Sequence, residues 1–155
     1  ISPFLQKISG VLSMLFPWLK TIKLESEFLS RDPKVVEEYL NDPLVYKKGA
    51  YARTGGEMLK YTKLIQDKFD KISCPMLVLH GTGDKLTDYQ GSVKLFEHAS
   101  SEDKELKLYE GWYHELCKEP EKAEVFKAMK EWLSEEKRLL PQMGGPMIAD
   151  VKSDS

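Results

Sequence analysis

The sequence predicts an α/β fold with a parallel sheet, on three observations. Met76-Leu77-Val78-Leu79 is a short apolar run set between Pro75 and the turn residues Gly81 and Gly83, the pattern of a strand buried on both faces. Leu106-Lys107-Leu108-Tyr109 repeats the pattern further on and closes in Gly111. One helix-period segment separates the two runs and another follows the second. Each run leads at once into a loop with a chemically useful side chain, Asp84 after the first and His114 after the second. Parallel neighbours deliver such loops at one C-terminal edge, the place where open α/β sheets bind ligands.

The elements follow in chain order. Phe4, Leu5, Ile8, Val11, Leu12, Leu15, Phe16 and Leu19 recur at three- and four-residue spacing, which predicts an amphipathic helix with one wide apolar stripe. Ser2 is its N-cap, Pro3 stands at the first helical position, and Pro17 ends or kinks it about a residue earlier. Residues 21–44 are loop-like, with Asp32-Pro33 and Asp42-Pro43 as boundaries around a short helix from Lys34 to Leu40. Gly55-Gly56 precedes a helix from Glu57 to Phe69 whose inward face is Met58, Leu59, Leu64, Ile65 and Phe69. Asp88 caps a helix from Tyr89 to Ala99. Glu119-Pro120 opens the last helix, with Val125, Phe126, Met129, Trp132 and Leu133 as its apolar stripe. From Leu139 onward Pro, Gly and Ser without a period predict a disordered tail.

The residues with chemistry narrow to two. An acid beside an imidazole is two-thirds of a nucleophilic triad: the acid fixes the imidazole's tautomer, and the imidazole takes a proton from a nucleophile. Their order, Asp84 then His114, fits a Ser…Asp…His chain order. The other histidines have plainer readings, His80 as a packed or backbone-bonded imidazole at a strand end and His98 as a solvent-facing helix residue. His114 and Cys117 are too few for a zinc site, which takes four ligands. With two cysteines, Cys74 and Cys117, the reading is free thiols in a reducing compartment.

Composition bounds the class. At 155 residues with 41% hydrophobic and 31% charged, the chain suits one domain with a core of its own. A net charge of −2 with lysines spread along the chain argues against a nucleic-acid partner, whose affinity needs concentrated positive charge. The longest apolar stretch, Val11 to Leu19, falls short of the about 20 residues that span a bilayer.

HGTGDKLTD at residues 80–88, the spacer helix, LKLYEGWYHEL at residues 106–116 and the closing amphipathic helix together resemble the C-terminal half of α/β-hydrolases of the monoacylglycerol lipase and lysophospholipase-like serine esterase type. The resemblance runs from Ile1 to Lys137 and is strongest from Ile72 to Leu133. It implies a partial α/β-hydrolase fold, with residues 1–66 as helical cap and return segment, residues 67–138 as the C-terminal part of the core and residues 139–155 as the tail. It implies Asp84 as triad acid, because Asp84 follows the Gly81-Thr82-Gly83 turn, and His114 as catalytic base. Leu86, two residues past the acid, is the implied substrate-binding residue. The implied substrate is an amphipathic lipid ester, monoacylglycerols first and lysophospholipids next, handled without metal or organic cofactor. The apolar cap implies peripheral membrane contact by a cytoplasmic protein.

The family's nucleophile stands in a G-x-S-x-G elbow, and this sequence has none: Ser13, Ser73, Ser92 and Ser134 all lack the paired glycines. The expectation is a serine esterase fragment that starts in the cap region, with its serine outside this chain, and inactive by itself. Two alternatives stay open, an α/β-hydrolase with an aspartate nucleophile and a truncated protein that binds a partner or lipid without catalysis.

Overall fold

A computed structural model describes residues 14–22 and 24–139. The predicted N-terminal helix lies largely outside that range, as does the tail beyond Leu139. Met14 and Leu15 are helical and the chain leaves the helix at Phe16, one residue before Pro17, as the proline requires.

The order is β1 (Lys20–Ile22), α1 (Pro33–Asn41), β2 (Ala50–Tyr51), α2 (Ala52–Gln66), β3 (Met76–Gly81), α3 (Tyr89–His98), β4 (Lys104–Tyr109) and α4 (Ala123–Leu139). β1 and β2 form a small antiparallel pair. β3 and β4 pair in parallel with Met76 opposite Lys104 and Gly81 opposite Tyr109, and α3 makes the crossover between them. That register brings both strands to their C-terminal ends side by side, so the Asp84 and His114 loops leave from adjacent points.

Local chemistry fixes the helix starts. Asp32 accepts from the Lys34 amide at 3.0 Å with Pro33 at the first position of α1, and Asp88 accepts from the Gln90 amide at 3.0 Å at the start of α3. Both are side-chain caps, at Asp88 as predicted and at Asp32 on the predicted Asp-Pro helix boundary. The core under the sheet joins Tyr109, Trp112 and Val125, with Leu79, Leu116 and Met129 packed around them. Tyr109 and Trp112 stack at 4.6 Å.

Several expectations are corrected. β3 runs on to Gly81, and its residues up to His80 are half-buried rather than buried, because among the described residues it has one strand neighbour. α2 begins at Ala52, not Glu57, and passes through Gly55-Gly56. Its buried face is Ala52 and Gly55, two small residues that let the helix lie close against β1 and β2, which outweighs the helix penalty of glycine. Met58, Leu64 and Ile65 are exposed, while Phe69 is buried in a separate 3₁₀ turn. α4 starts at Ala123, and it buries Val125 and Ala128 while Phe126 and Leu133 are exposed.

The two glycines after β3 have a steric cause. A Cβ on Gly81 would stand 2.3 Å from the Trp112 carbonyl oxygen, and one on Gly83 would stand 2.6 Å from the Gly111 carbonyl oxygen. The loops therefore touch backbone to backbone, laced by Thr82 N to Tyr109 O at 2.9 Å and Gly83 N to Trp112 O at 2.9 Å. The Thr82 hydroxyl accepts from the Gly111 amide at 2.8 Å, and Gly111 itself turns at φ 73°.

Gly81→Ala is expected to destabilise the fold by about 1–3 kcal/mol, since a backbone carbonyl cannot step aside as a side chain can. Gly91→Ala, in α3 with open space around its Cβ, is expected to stabilise by about 0.4–1 kcal/mol. Urea unfolding of both variants checks the opposite signs.

Candidate active site

The docked loops bring Asp84 and His114 together. The His114 Nδ1 lies 2.8 Å from Asp84 Oδ2. Asp84 has a side chain only 1% exposed, so its charge must be met by donors. Oδ1 accepts from the amides of Leu86 at 2.7 Å and Thr87 at 3.0 Å. Oδ2 accepts from the Thr87 hydroxyl at 2.7 Å and from both histidines, His80 Nε2 standing at 3.1 Å.

Those contacts decide protonation. Burial pushes the Asp84 carboxyl up, but the hydrogen bonds from His114, from the Thr87 amide and hydroxyl and from the Leu86 amide outweigh it and bring it down to about 2. Asp84 is thus a carboxylate and only accepts. His114 must donate from Nδ1, which leaves Nε2 of the neutral ring as its proton acceptor. With 37% of its side chain exposed, His114 is open to a reacting group where Asp84 is not. The pair can take a proton at Nε2 and stabilise the resulting imidazolium.

The loop that carries His114 is held from a distant part of the chain. Glu119, 1% exposed, accepts from the Tyr113 amide at 3.1 Å, from the Arg31 amide at 3.1 Å and from Arg31 Nε at 2.6 Å. Arg31 also pairs with Glu121 and lies 5.1 Å over the Trp112 ring. The His114 amide donates to Phe28 O and the Glu115 amide to Leu29 O at 2.8 Å. Ser30 Oγ donates to Lys118 O at 3.1 Å, and Phe28 meets Tyr113 edge to face. Residues 28–31 therefore run along the His114 loop and clamp it from one side.

Of the sequence-predicted site residues, Asp84 and His114 meet. Leu86 is half-buried and serves Asp84 through its backbone amide. His80 is packed at the strand end as the sequence suggests, its side chain 15% exposed, but its ring nitrogens meet the Asp84 carboxylate and the Ser92 hydroxyl rather than the backbone. His98 is exposed with Nδ1 on Lys94 O. Cys74 and Cys117 are free and exposed. Among the described residues no cluster of His, Cys, Asp and Glu could hold a metal ion, and no helix is long and apolar enough to cross a membrane. Sequence reasoning missed Arg31, Thr87 and Glu119. The signal for Glu119 is a charged residue before Pro120 next to an aromatic loop, a pattern that equally fits a helix start.

Comparisons with known proteins bear on this geometry. Residues 1–121 match the family described as serine aminopeptidase, S33. The chain is 33% identical over 133 residues to a monoacylglycerol lipase of Mycolicibacterium smegmatis, covering 86% of this chain and 48% of the relative. It is 37% identical over 127 residues to the human monoglyceride lipase, covering 81% and 42%. The crystal structure of a monoacylglycerol lipase from Paleococcus ferrophilus superposes with a TM-score of 0.76 at 32% identity, over 86% of this chain and 52% of that one. The chain spans about half the length of the curated relatives it matches.

Two outcomes are expected. The Asp84 carboxyl is held below its ordinary 3.8, at about 2, so the folded chain binds that proton more weakly than the unfolded chain. Its contribution, about 2 kcal/mol, is complete above pH 4 and is lost as the pH falls through about 2. In urea unfolding, the stability gap between the wild type and Asp84→Asn should narrow over that window and stay flat above it. Separately, Arg31→Ala should cost about 3–5 kcal/mol, since it leaves the buried Glu119 carboxylate without its cation, and Glu119→Ala should cost about 1–3 kcal/mol, since it takes the acceptor from the Tyr113 and Arg31 amides while Arg31 keeps Glu121. The double variant should cost clearly less than their sum, as a double-mutant cycle will read.

Proposed function

The chain belongs to the serine aminopeptidase S33 family of α/β-hydrolases, and on that premise we propose that it carries the acid and the base of a lipid esterase. Asp84 is the acid and His114 the base of a Ser-Asp-His triad whose serine lies outside these 155 residues. The carrying observation is the 2.8 Å bond from His114 Nδ1 to a buried carboxylate at the C-terminal edge of β3 and β4. The names of the relatives, monoacylglycerol and monoglyceride lipases, support a monoacylglycerol as the substrate.

The mechanism follows from the protonation states. His114 Nε2 takes the proton of the serine hydroxyl as the oxygen attacks the ester carbonyl, and the imidazolium is stabilised by Asp84. The tetrahedral intermediate collapses as His114 returns that proton to the leaving glycerol oxygen. Water then gives a proton to Nε2 while its oxygen attacks the acyl-enzyme, and the second tetrahedral intermediate breaks the serine–acyl bond as His114 returns that proton to the serine oxygen and the fatty acid leaves. Backbone amides outside these residues would form the oxyanion hole, each worth roughly 2.7–4 kcal/mol. Residues 1–66 would supply the cap and its return segment, with residues 67–138 in the core. Leu86, whose amide already serves Asp84, would border the pocket, and the cap would meet the membrane surface that presents the lipid.

The test joins this chain to the nucleophile-bearing half of a relative and follows fatty-acid release from a monoacylglycerol. The joined protein is expected to hydrolyse it, and Asp84→Asn and His114→Ala are each expected to lower kcat by roughly 10⁴-fold or more. Hydrolysis that survives His114→Ala at the wild-type rate would remove the assignment.

A further inference from the structure

The Asp84 carboxylate holds a second imidazole that the proposed mechanism does not use. His80, one residue before the end of β3, has a side chain 15% exposed. Its Nε2 stands 3.1 Å from Asp84 Oδ2 and its Nδ1 stands 2.7 Å from Ser92 Oγ on α3. A neutral imidazole carries one proton, a carboxylate can only accept, and a hydroxyl can do either. The proton is therefore on Nε2, aimed at Asp84, and Nδ1 accepts from the Ser92 hydroxyl. The Ser92 position within a helix is not the sharp strand-to-helix turn that exposes a nucleophilic serine, which leaves it the part of an anchor.

We infer that His80 is a positioning residue for the acid–base pair: held in its Nε2–H tautomer by the acceptor-only Asp84 carboxylate and anchored at Nδ1 by the Ser92 hydroxyl, it donates to the same carboxylate oxygen that His114 uses and fixes that oxygen's direction and share of charge. This rests on the reading of Asp84 and His114 as acid and base. Oδ2 accepts three hydrogen bonds, from His80, His114 and the Thr87 hydroxyl. An oxygen that serves three donors gives less to each, so His80 tempers the bond that makes His114 basic. The charged neighbours do not compete for this role. Lys85 and Asp88 are exposed, and the Asp88 carboxylate caps α3.

The test is ¹⁵N and ¹H NMR of the imidazoles in the 155-residue chain, which needs no activity. It therefore fails separately from the esterase reading. At neutral pH His80 is expected as the Nε2–H tautomer and His114 as the Nδ1–H tautomer. In His80→Leu the Nδ1–H signal of His114 should move further downfield, because Oδ2 is left with two donors. In His80→Gln, whose amide nitrogen can reach where Nε2 stood, it should return toward the wild-type position. An Nδ1–H tautomer at His80 in the wild type would overturn the inference, and this readout stands even where a variant does not fold. An unmoved His114 signal in a folded His80→Leu chain would overturn it equally.

Discussion

The buried carboxylate of Glu119 is the constraint on which the site's geometry depends. A charge taken out of water loses several kcal/mol of solvation unless donors replace that water. Three donors reach Glu119: the Tyr113 amide, the Arg31 amide and the Arg31 guanidinium. Two of them come from a segment 88 residues away in the chain. Satisfying the charge therefore docks residues 28–31 onto the loop between β4 and α4, and the residue next to Tyr113 is His114. Such a pair adds little net stability by itself, but an arrangement that leaves it half-made is costly. It selects one loop conformation among many.

The second constraint is steric, and it places Asp84 as the first places His114. Gly81 and Gly83 let two loops touch through their backbones at distances a Cβ would forbid. Asp84 then sits with one oxygen on the amides of its own loop and the other turned outward to two imidazoles. The division matters for chemistry. Oδ1 anchors the carboxylate, and Oδ2 is left to orient the imidazole, the arrangement in which an acid fixes a tautomer without itself taking the proton. His114 is the more exposed partner, so its free ring nitrogen is open to solvent while the Asp84 carboxylate is not.

Much of this was legible in the sequence where the cause is local. Asp32 and Asp88 cap helices through bonds to residues two positions on, and glycine, proline and the apolar runs mark the strands. The Asp84 and His114 pairing was legible because parallel strands share an edge. What escaped was long-range or compensated. Arg31 and Glu119 carry no sign of each other in sequence. The start of α2 is not legible in sequence because packing of Ala52 and Gly55 against β1 and β2 overrides the helix cost of two glycines. Apolar spacing named Met58, Ile65 and Phe126 as inward-facing, yet they are exposed. A helix period shows that a face is apolar, not what covers it.

Hydrogen exchange at the amides of Tyr113, His114 and Glu115 tests the role of Glu119 most directly. In the wild type these amides should be protected, since they donate to Glu119, Phe28 and Leu29 respectively. In Glu119→Ala they should lose protection while the amides of β3 and β4 keep theirs, the mark of a local opening. Unchanged protection of the three amides, or an equal loss across the whole sheet, would contradict a His114 loop held in place by one buried carboxylate.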